Sequence, residues 1–246
     1  MNFAGKAAGF GNKLLSIIAA LLVLVMLAYG GYSLWNNYLV SNAFISDELL
    51  KFKPVELTDE IAKVPTFDDL RAINPEVAAW ITVDDTHIDY PVLQNEYDMY
   101  YVNHDVYGDF SISGSIFLSC QNSFDFSDSY NVVYGHHMDN GAMFGDVTEF
   151  LDEDFYNTHK TGELFCDGEI YDLEIFACVR CDAYDKVIYH IGPEVNFRDV
   201  LDYTEKMALY YDKAIADTSE KIIALSTCSD STTNGRVLVF AKMVRR

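Results

Sequence analysis

The chain has 246 residues, 50% of them hydrophobic, and a formal net charge of −21 at pH 7. This hydrophobic share is enough for a folded core of one large domain or two small ones, so the composition excludes a disordered chain. The strongly acidic balance also makes nucleic acid a poor partner, because a negative surface repels a phosphate backbone.

The first long apolar segment runs from Lys13 to Trp35 and has no charged residue after Lys13. A bilayer-spanning helix needs roughly 20 apolar residues, whereas a cleaved signal peptide has an apolar core of only about 7–15. The segment closes with Tyr29, Tyr32 and Trp35, aromatic residues of the kind found at a membrane interface. We therefore predict an uncleaved transmembrane anchor over residues 14–35, in preference to a signal peptide cleaved after a small-x-small site.

Two lysines, Lys6 and Lys13, precede the anchor without an acidic residue to offset them. The positive-inside rule then keeps residues 1–13 in the cytoplasm and places everything after the anchor outside the cell. We expect residues 36–64 to form a helical stalk and residues 65–246 to form one exported domain. Thr66 and Asp69 have the spacing of a capping box and predict a short helix that ends before Pro75.

Most of the exported domain consists of short strand-like segments, at 87–94, 114–119, 131–137, 162–166, 170–179, 221–228 and 236–244. Two helical interruptions are predicted among them, at about 144–158 and 196–212, the second with apolar residues at helical spacing. Six to eight short strands with mostly local turns predict an antiparallel sheet that closes into a barrel or folds as a sandwich.

The chain has five cysteines, at 120, 166, 178, 181 and 228, so at least one thiol stays unpaired. Cys178 and Cys181 form a CxxC sequence, but it lies in a predicted strand, where residues three apart point to opposite faces. A single CxxC is also a weak zinc signal. We therefore predict that both are packing cysteines.

The final two predicted strands place a thiol and a guanidinium on either side of the turn that joins them. Cys228 ends one apolar run, and Arg236 begins the next after the polar residues 229–235. Alternation from 236 to 244 places Val237 and the residues in phase with it on the core face, which leaves Arg236 on the other face. A hairpin here would hold the two side chains together, and a nearby cation favours the thiolate of a cysteine.

The candidate acid or base is a histidine in the segment 131–147. His136 and His137 are adjacent, so in a strand only one of them can face a given site. Gly135 leaves the backbone beside His136 open. The other four histidines, at 87, 104, 159 and 190, are predicted to be surface or packing residues. From the residues alone, Cys228, His136 and Arg236 are a candidate catalytic trio, with a buried structural cysteine as the alternative.

Two segments taken together resemble the paired signature of the class B sortases. They are "YGHHMDNGAMFGDV", with a histidine directly after Tyr-Gly, and "LSTCSDSTTNGRVLV", with an arginine eight residues past the cysteine. The segment "YYVNHDVYGDFSISGSIFL" also resembles the part of that family before the histidine strand. The likeness covers roughly residues 65–246. It implies a mainly β fold, a closed eight-stranded sortase barrel with N-terminal helices and a helix inserted between the sixth and seventh strands.

The resemblance also implies a membrane-anchored cysteine transpeptidase of the Gram-positive cell surface. Cys228 would be the nucleophile, His136 the general acid and base, and Arg236 the group that stabilises the oxyanion. The enzyme would cleave a C-terminal sorting signal after threonine through a thioacyl intermediate, and attach the surface protein to an amine of a peptidoglycan precursor or a pilin. No cofactor or metal is expected. The alternatives are a cysteine peptidase that uses water, and a non-catalytic binding module.

Four further residues are implied as contacts of the sorting signal: Ser226, Thr227, Asp98 and Val102. Asp98 stands where the resemblance leads us to expect an asparagine, and Cys120 lies in a stretch where an acid and an aromatic residue are expected. Both differences concern substrate specificity.

Overall fold

The structure is a computed structural model that describes residues 3–41, 46–54, 66–228 and 234–246. It divides into two compact units, Met1–Asn42 and Ala43–Arg246. The predicted stalk, residues 36–64, lies largely outside the described residues, because 42–45 and 55–65 are not among them.

The first unit contains one long helix, α1, Phe3–Ser41. Within it, Gly9–Trp35 has a mean hydropathy of 2.5 and is long and apolar enough to cross a membrane. The helix continues past Trp35 without a break, so its described end does not coincide with the predicted end of the anchor.

Two short helices precede the strands of the second unit: α2, Asp47–Leu50, and α3, Phe67–Ile73. The predicted capping box is present at the start of α3. The Thr66 backbone N–H donates to Asp69 Oδ2 at 2.7 Å, and the Asp69 N–H donates to Thr66 Oγ1 at 3.3 Å. These two bonds satisfy donors that have no partner within the helix, which is why the helix begins at this point.

The described part of the second unit contains nine strands: β1 Val77–Val83, β2 Asp89–Leu93, β3 Ile116–Leu118, β4 Tyr130–Tyr134, β5 Thr161–Cys166, β6 Glu169–Asp182, β7 Ala208–Tyr211, β8 Ile222–Cys228 and β9 Gly235–Arg245. Their order in the sheet is β5-β1-β2-β3-β4-β8-β9-β6-β7, and β5 also pairs with β6. Eight strands therefore close into a barrel, and β7 lies on β6 outside the ring. The expected eight-stranded closed barrel is confirmed.

The barrel is mixed, which differs from the antiparallel sheet predicted from the turns. β2 pairs with β3, and β4 with β8, in parallel. Parallel neighbours cannot be joined by a tight turn, and these pairs are separated by long stretches of chain. Strand β1 was also absent from the prediction. Its seven residues are almost continuously buried, so it shows no alternation of apolar and polar side chains.

The expected helix between the sixth and seventh strands is confirmed as α5, Phe197–Met207. The predicted range 196–212 was too long, because β7 starts directly after α5 and pairs with β6. A further short helix, α6, Lys213–Asp217, follows. The other helical region consists of a 3₁₀ helix, Gly145–Leu151, and α4, Glu153–Thr158.

Strands β8 and β9 separate two hydrophobic clusters. Val237, Val239 and the residues in phase with them fill the barrel interior, as the alternation predicts. Leu238 and Phe240, on the other face, are also fully buried, because they pack in a second cluster that includes Val200 of α5. This outer face is partly exposed at both ends of β9, at Arg236 and at Lys242, and the groove lies at the Arg236 end.

Candidate active site

Cys228 and Arg236 are direct partners at the end of the β8–β9 pair. Side chains that lie opposite each other in an antiparallel pair project from the same face, with Cβ atoms about 4.5–5.5 Å apart. Both residues are partly exposed. The alternation that sends Val237 into the barrel places this pair on the outer surface. Residues 229–233 of the connection lie outside the described part of the chain.

His136 follows the end of β4, the parallel neighbour of β8. The Gly135 N–H donates to the Ser226 carbonyl at 3.1 Å, and the Thr227 hydroxyl donates to the Gly135 carbonyl at 2.9 Å. Gly135 is required by close packing, since a Cβ there would lie 2.4 Å from Ile116 Cδ1. The backbone before His136 is therefore fixed directly to the strand that ends in Cys228.

The imidazole of His136 is oriented by a backbone carbonyl. Its Nε2 lies 2.7 Å from the carbonyl oxygen of Val102. A carbonyl only accepts hydrogen bonds, so Nε2 carries a proton in this arrangement. In the neutral ring Nδ1 is then the nitrogen that can accept a proton. His137 differs, because its Nε2 lies 3.4 Å from the exposed Asp139.

The three candidate catalytic residues line one groove of about 380 Å³. The four residues predicted to contact the sorting signal line it as well. The full lining is Asp98, Met99, Val102, Phe117, Gln121, Tyr134, Gly135, His136, Ala183, Tyr189, Ser226, Thr227, Cys228 and Arg236. All seven residues singled out in the sequence thus come together from three separate parts of the chain.

Ser226 and Thr227 form the floor of the groove rather than an open wall. They are 1% and 2% exposed. The Ser226 hydroxyl forms a 2.9 Å hydrogen bond with the hydroxyl of Tyr189, and that of Thr227 donates to the Gly135 carbonyl. Their side chains therefore hold neighbouring segments in place, which limits what they can offer a bound peptide.

Asp98 lies on the β2–β3 connection, at the edge of the groove. Its Oδ1 accepts the Cys120 backbone N–H at 2.5 Å. Burial and the nearby Asp98 carboxylate raise the pKa of the Cys120 thiol. Burial, followed by the charge of Asp98, also raises the pKa of Tyr134, while Arg236 acts in the opposite direction. The groove therefore contains a carboxylate as well as a guanidinium.

Sequence reasoning missed the aromatic residue Tyr189. It belongs to the irregular connection 183–196 between β6 and α5, and its ring stacks with that of Tyr134 at a centroid distance of 6.2 Å. Burial raises its pKa strongly, so its hydroxyl stays neutral. A tyrosine in an irregular segment has no periodicity to mark it, and only the folded chain brings it to Ser226.

Three of the other cysteines, Cys166, Cys178 and Cys181, pack in the hydrophobic clusters, whereas Cys120 is exposed. Cys178 faces the barrel interior, and Cys181 belongs to the outer cluster, as strand geometry predicts for residues three apart. Burial raises the pKa of each of these thiols, and that of Cys166, to about 12. These three thiols are therefore protonated at neutral pH, which suits packing residues.

Comparison with known proteins identifies the family of this chain. No protein-family model matches the chain. The chain is 33% identical over 181 residues to Sortase B of Listeria monocytogenes, a match that spans 72% of this chain and 74% of that protein.

Solved class B sortase structures are similar to this chain at TM-scores above 0.6, and those from Streptococcus pyogenes and B. anthracis are two examples. A Streptococcus pyogenes class B sortase involved in pilus biogenesis has a TM-score of 0.65 and 37% identity, covering 72% of this chain and 97% of that one. Sortase B from B. anthracis, in complex with AAEK1, has a TM-score of 0.68 and 29% identity, covering 87% and 98%. Because sequence and fold agree over most of both molecules, the chain belongs to the class B sortases and is a sortase cysteine transpeptidase.

Proposed function

We propose that this transpeptidase uses Cys228 to cleave a sorting signal after threonine, and that it then joins the new carboxyl end to an amine at the cell surface. The observation that supports this most directly is the pairing of Cys228 with Arg236 at one end of a groove that His136 also lines. The proposal covers the residue roles, the bond cleaved and the acceptor.

In the first step, Cys228 reacts as a thiolate while His136 is an imidazolium. The sulfur forms a bond to the threonine carbonyl carbon, and the carbonyl oxygen takes the negative charge. Arg236 stabilises that oxygen by charge-assisted hydrogen bonds. One guanidinium nitrogen of Arg236 donates to the adjacent Gly235 carbonyl at 3.0 Å. A guanidinium has five N–H donors, so this bond orients the group and leaves donors for the substrate.

Collapse of the tetrahedral intermediate breaks the carbon–nitrogen bond and leaves a thioacyl enzyme. The departing amine takes a proton from the imidazolium form of His136. Val102 accepts from Nε2, so Nδ1 gives up the proton. In the second half-reaction, the acceptor amine forms a bond to the thioacyl carbon and Nδ1 of the neutral ring accepts its proton. The carbon–sulfur bond then breaks, and Cys228 leaves as a thiolate. One nitrogen therefore serves both proton transfers while the other holds the ring.

The sorting signal would lie along the groove, with its scissile threonine at Cys228. Asp98 and Val102 come from the connection that forms one wall, whereas Ser226 and Thr227 underlie the peptide. Asp98 favours a hydrogen-bond donor on the peptide, because a carboxylate accepts and does not donate. An asparagine in its place would offer both functions.

The proposed acceptor is an amine of a peptidoglycan precursor or of a pilin lysine. The similar Streptococcus pyogenes enzyme is described as involved in pilus biogenesis, which supports keeping a pilin amine as a candidate. We further propose that residues 14–35 anchor the enzyme, with residues 1–13 in the cytoplasm and the catalytic domain, 65–246, outside the cell. The apolar helix Gly9–Trp35 supports this placement.

The test is to incubate the full chain, in detergent, with a panel of sorting-signal peptides, with and without a lysine-containing or glycine peptide as acceptor. Mass spectrometry then separates two products. A joined peptide that forms only with wild-type Cys228 supports the proposal. Hydrolysis alone, unaffected by any added amine, would instead indicate a cysteine peptidase that uses water.

A further inference from the structure

The loop that follows His136 is attached to the turn between β1 and β2 by one buried carboxylate. Asp146, at the start of the 3₁₀ helix, is 8% exposed. Its Oδ2 accepts the backbone N–H of His87 at 2.7 Å and lies 2.9 Å from His87 Nδ1. A carboxylate only accepts, so Nδ1 of His87 carries a proton in this contact. Neither residue lines the groove.

The same loop is closed at its base and tied to the barrel. The Phe144 N–H donates to the His136 carbonyl at 3.0 Å, and the Met143 N–H donates to the Tyr90 hydroxyl at 2.9 Å. Gly145 packs so tightly that a Cβ would lie 2.3 Å from the Met138 carbonyl. Because the loop is short and held by these contacts, a displacement of Asp146 would also displace the backbone of His136.

We infer that Asp146 is a positioning residue for transpeptidation, which acts by clamping the His136 loop to His87. The inference rests on the proposed role of His136 in proton transfer. That transfer depends on a directed hydrogen bond to the departing amine, and a misplacement of roughly 1 Å in such a geometry costs on the order of 10²-fold in rate. The clamp acts on the step in which His136 gives a proton.

The test compares two substrates with the same signal sequence, one with the normal amide at the scissile position and one with a thioester. A departing amine needs a proton, whereas a thiol, with a pKa of about 8.5, leaves readily as thiolate. The rate of the first turnover is measured as release of either leaving group. The quantity of interest is the ratio of the amide rate to the thioester rate.

Two variants of the clamp are tested in the full chain. Asp146→Asn keeps the size and one accepting oxygen, and His87→Ala removes the ring that donates to Asp146 while it keeps the backbone N–H donor. For both we expect the amide rate to fall about tenfold or more, the thioester rate to change by less than about twofold, and KM to stay near the wild-type value.

The matched control is Asp84→Asn in the same turn. Asp84 Oδ2 accepts the Thr161 hydroxyl at 2.6 Å, which ties the turn to β5 instead of to the His136 loop. We expect no selective loss on the amide. Thermal unfolding of all variants identifies any general loss of structure.

His136→Ala separates the inference from the proposal on which it rests. If His136→Ala slows amide and thioester equally, the proton-transfer role itself is wrong. If His136→Ala is selective for the amide while both clamp variants keep the wild-type ratio, the role of His136 holds and the positioning role of Asp146 is refuted.

Discussion

The two faces of β8 and β9 are made by alternate residues of the same strands, yet they differ in exposure to solvent. On the inner face, Leu225, Val237 and Val239 are at most 2% exposed and fill the barrel. On the outer face, Leu238 and Phe240 are equally buried, but Cys228 and Arg236 are partly open. The strands alone do not create the site. It lies where the second layer, which includes α5, stops covering the outer face.

The same contrast in exposure supports the proposed role of Cys228 over that of Cys178. Cys178 lies among apolar side chains, and burial raises its pKa to about 12. Cys228 lies at a strand end, in a groove, opposite a guanidinium. Packing among apolar side chains therefore sets Cys178 apart from Cys228, whereas Cys120 is exposed but lies outside the groove lining.

The largest effect is expected from Cys228→Ala, which should abolish cleavage of a sorting-signal peptide because no other described residue of the groove is a thiol. Cys178→Ala, on the inner face, should keep turnover and lower the free energy of unfolding by on the order of 1 kcal/mol, through loss of a buried atom. Peptide cleavage and denaturant unfolding measure the two effects. Substantial turnover by Cys228→Ala would exclude the thioacyl mechanism.

The second effect separates two adjacent histidines. His136→Ala should lower kcat by on the order of 10²–10⁴-fold, the usual contribution of a general acid or base. His137→Ala should have only a small effect, since His137 is outside the groove lining. Steady-state kinetics on a fluorogenic signal peptide makes the comparison. A larger loss for His137→Ala would mean that the wrong histidine was assigned.

A third prediction concerns directed bonding by Arg236. Lysine keeps the charge but not the planar fork, so Arg236→Lys should lose on the order of 10²-fold in kcat, with little change in KM. Arg245→Lys, at the other end of β9 and paired with Glu169, is the matched control and should be nearly neutral. If Arg236→Lys keeps a near-normal kcat, Arg236 contributes only its positive charge near Cys228. If only KM rises, Arg236 binds the substrate and does not stabilise the transition state.

The smallest effect on catalysis is expected from Phe240→Ala, on the covered part of the outer face. Phe240 is fully buried and packs against Tyr130 and Phe176. Its truncation should lower the free energy of unfolding by about 3–5 kcal/mol and leave kcat of the folded enzyme close to that of the wild type. A large fall in kcat without loss of stability would show that the cover and the groove are coupled.

Much of the fold could be predicted because many strands show an alternation of side chains that distinguishes the core face from the other face. The signal is clearest where a polar residue at the strand end marks the outer face. The run 236–244 is the best case, since its phase correctly separated Val237 from Arg236. Strand β1 could not be found this way, because it is buried on both faces. The parallel pairing of β4 with β8 depends on the order of strands around the barrel, which local sequence does not specify.

The groove was predictable in part for a similar reason. Cys228 and Arg236 are joined by a short connection, so a hairpin places them together. The contact between His136 and the Val102 carbonyl has no signal in the sequence, because every residue has a carbonyl. The hydrogen bonds from His87 to Asp146 likewise join segments 59 residues apart, and the surface or packing role predicted for His87 gives no sign of them.

The parallel contact between β4 and β8 also bears on when the proposed site can be completed during synthesis of the chain. The bond from Thr227 to the Gly135 carbonyl spans 92 residues, so the strand before His136 is made well before the strand that ends in Cys228. Contacts of such long range form late, because the entropy of closing a long loop must first be overcome. A nascent or truncated chain that lacks β8 and β9 therefore contains His136 but not Cys228. We expect reactivity toward signal peptides to appear only after β8 and β9 have been synthesised and have paired with β4.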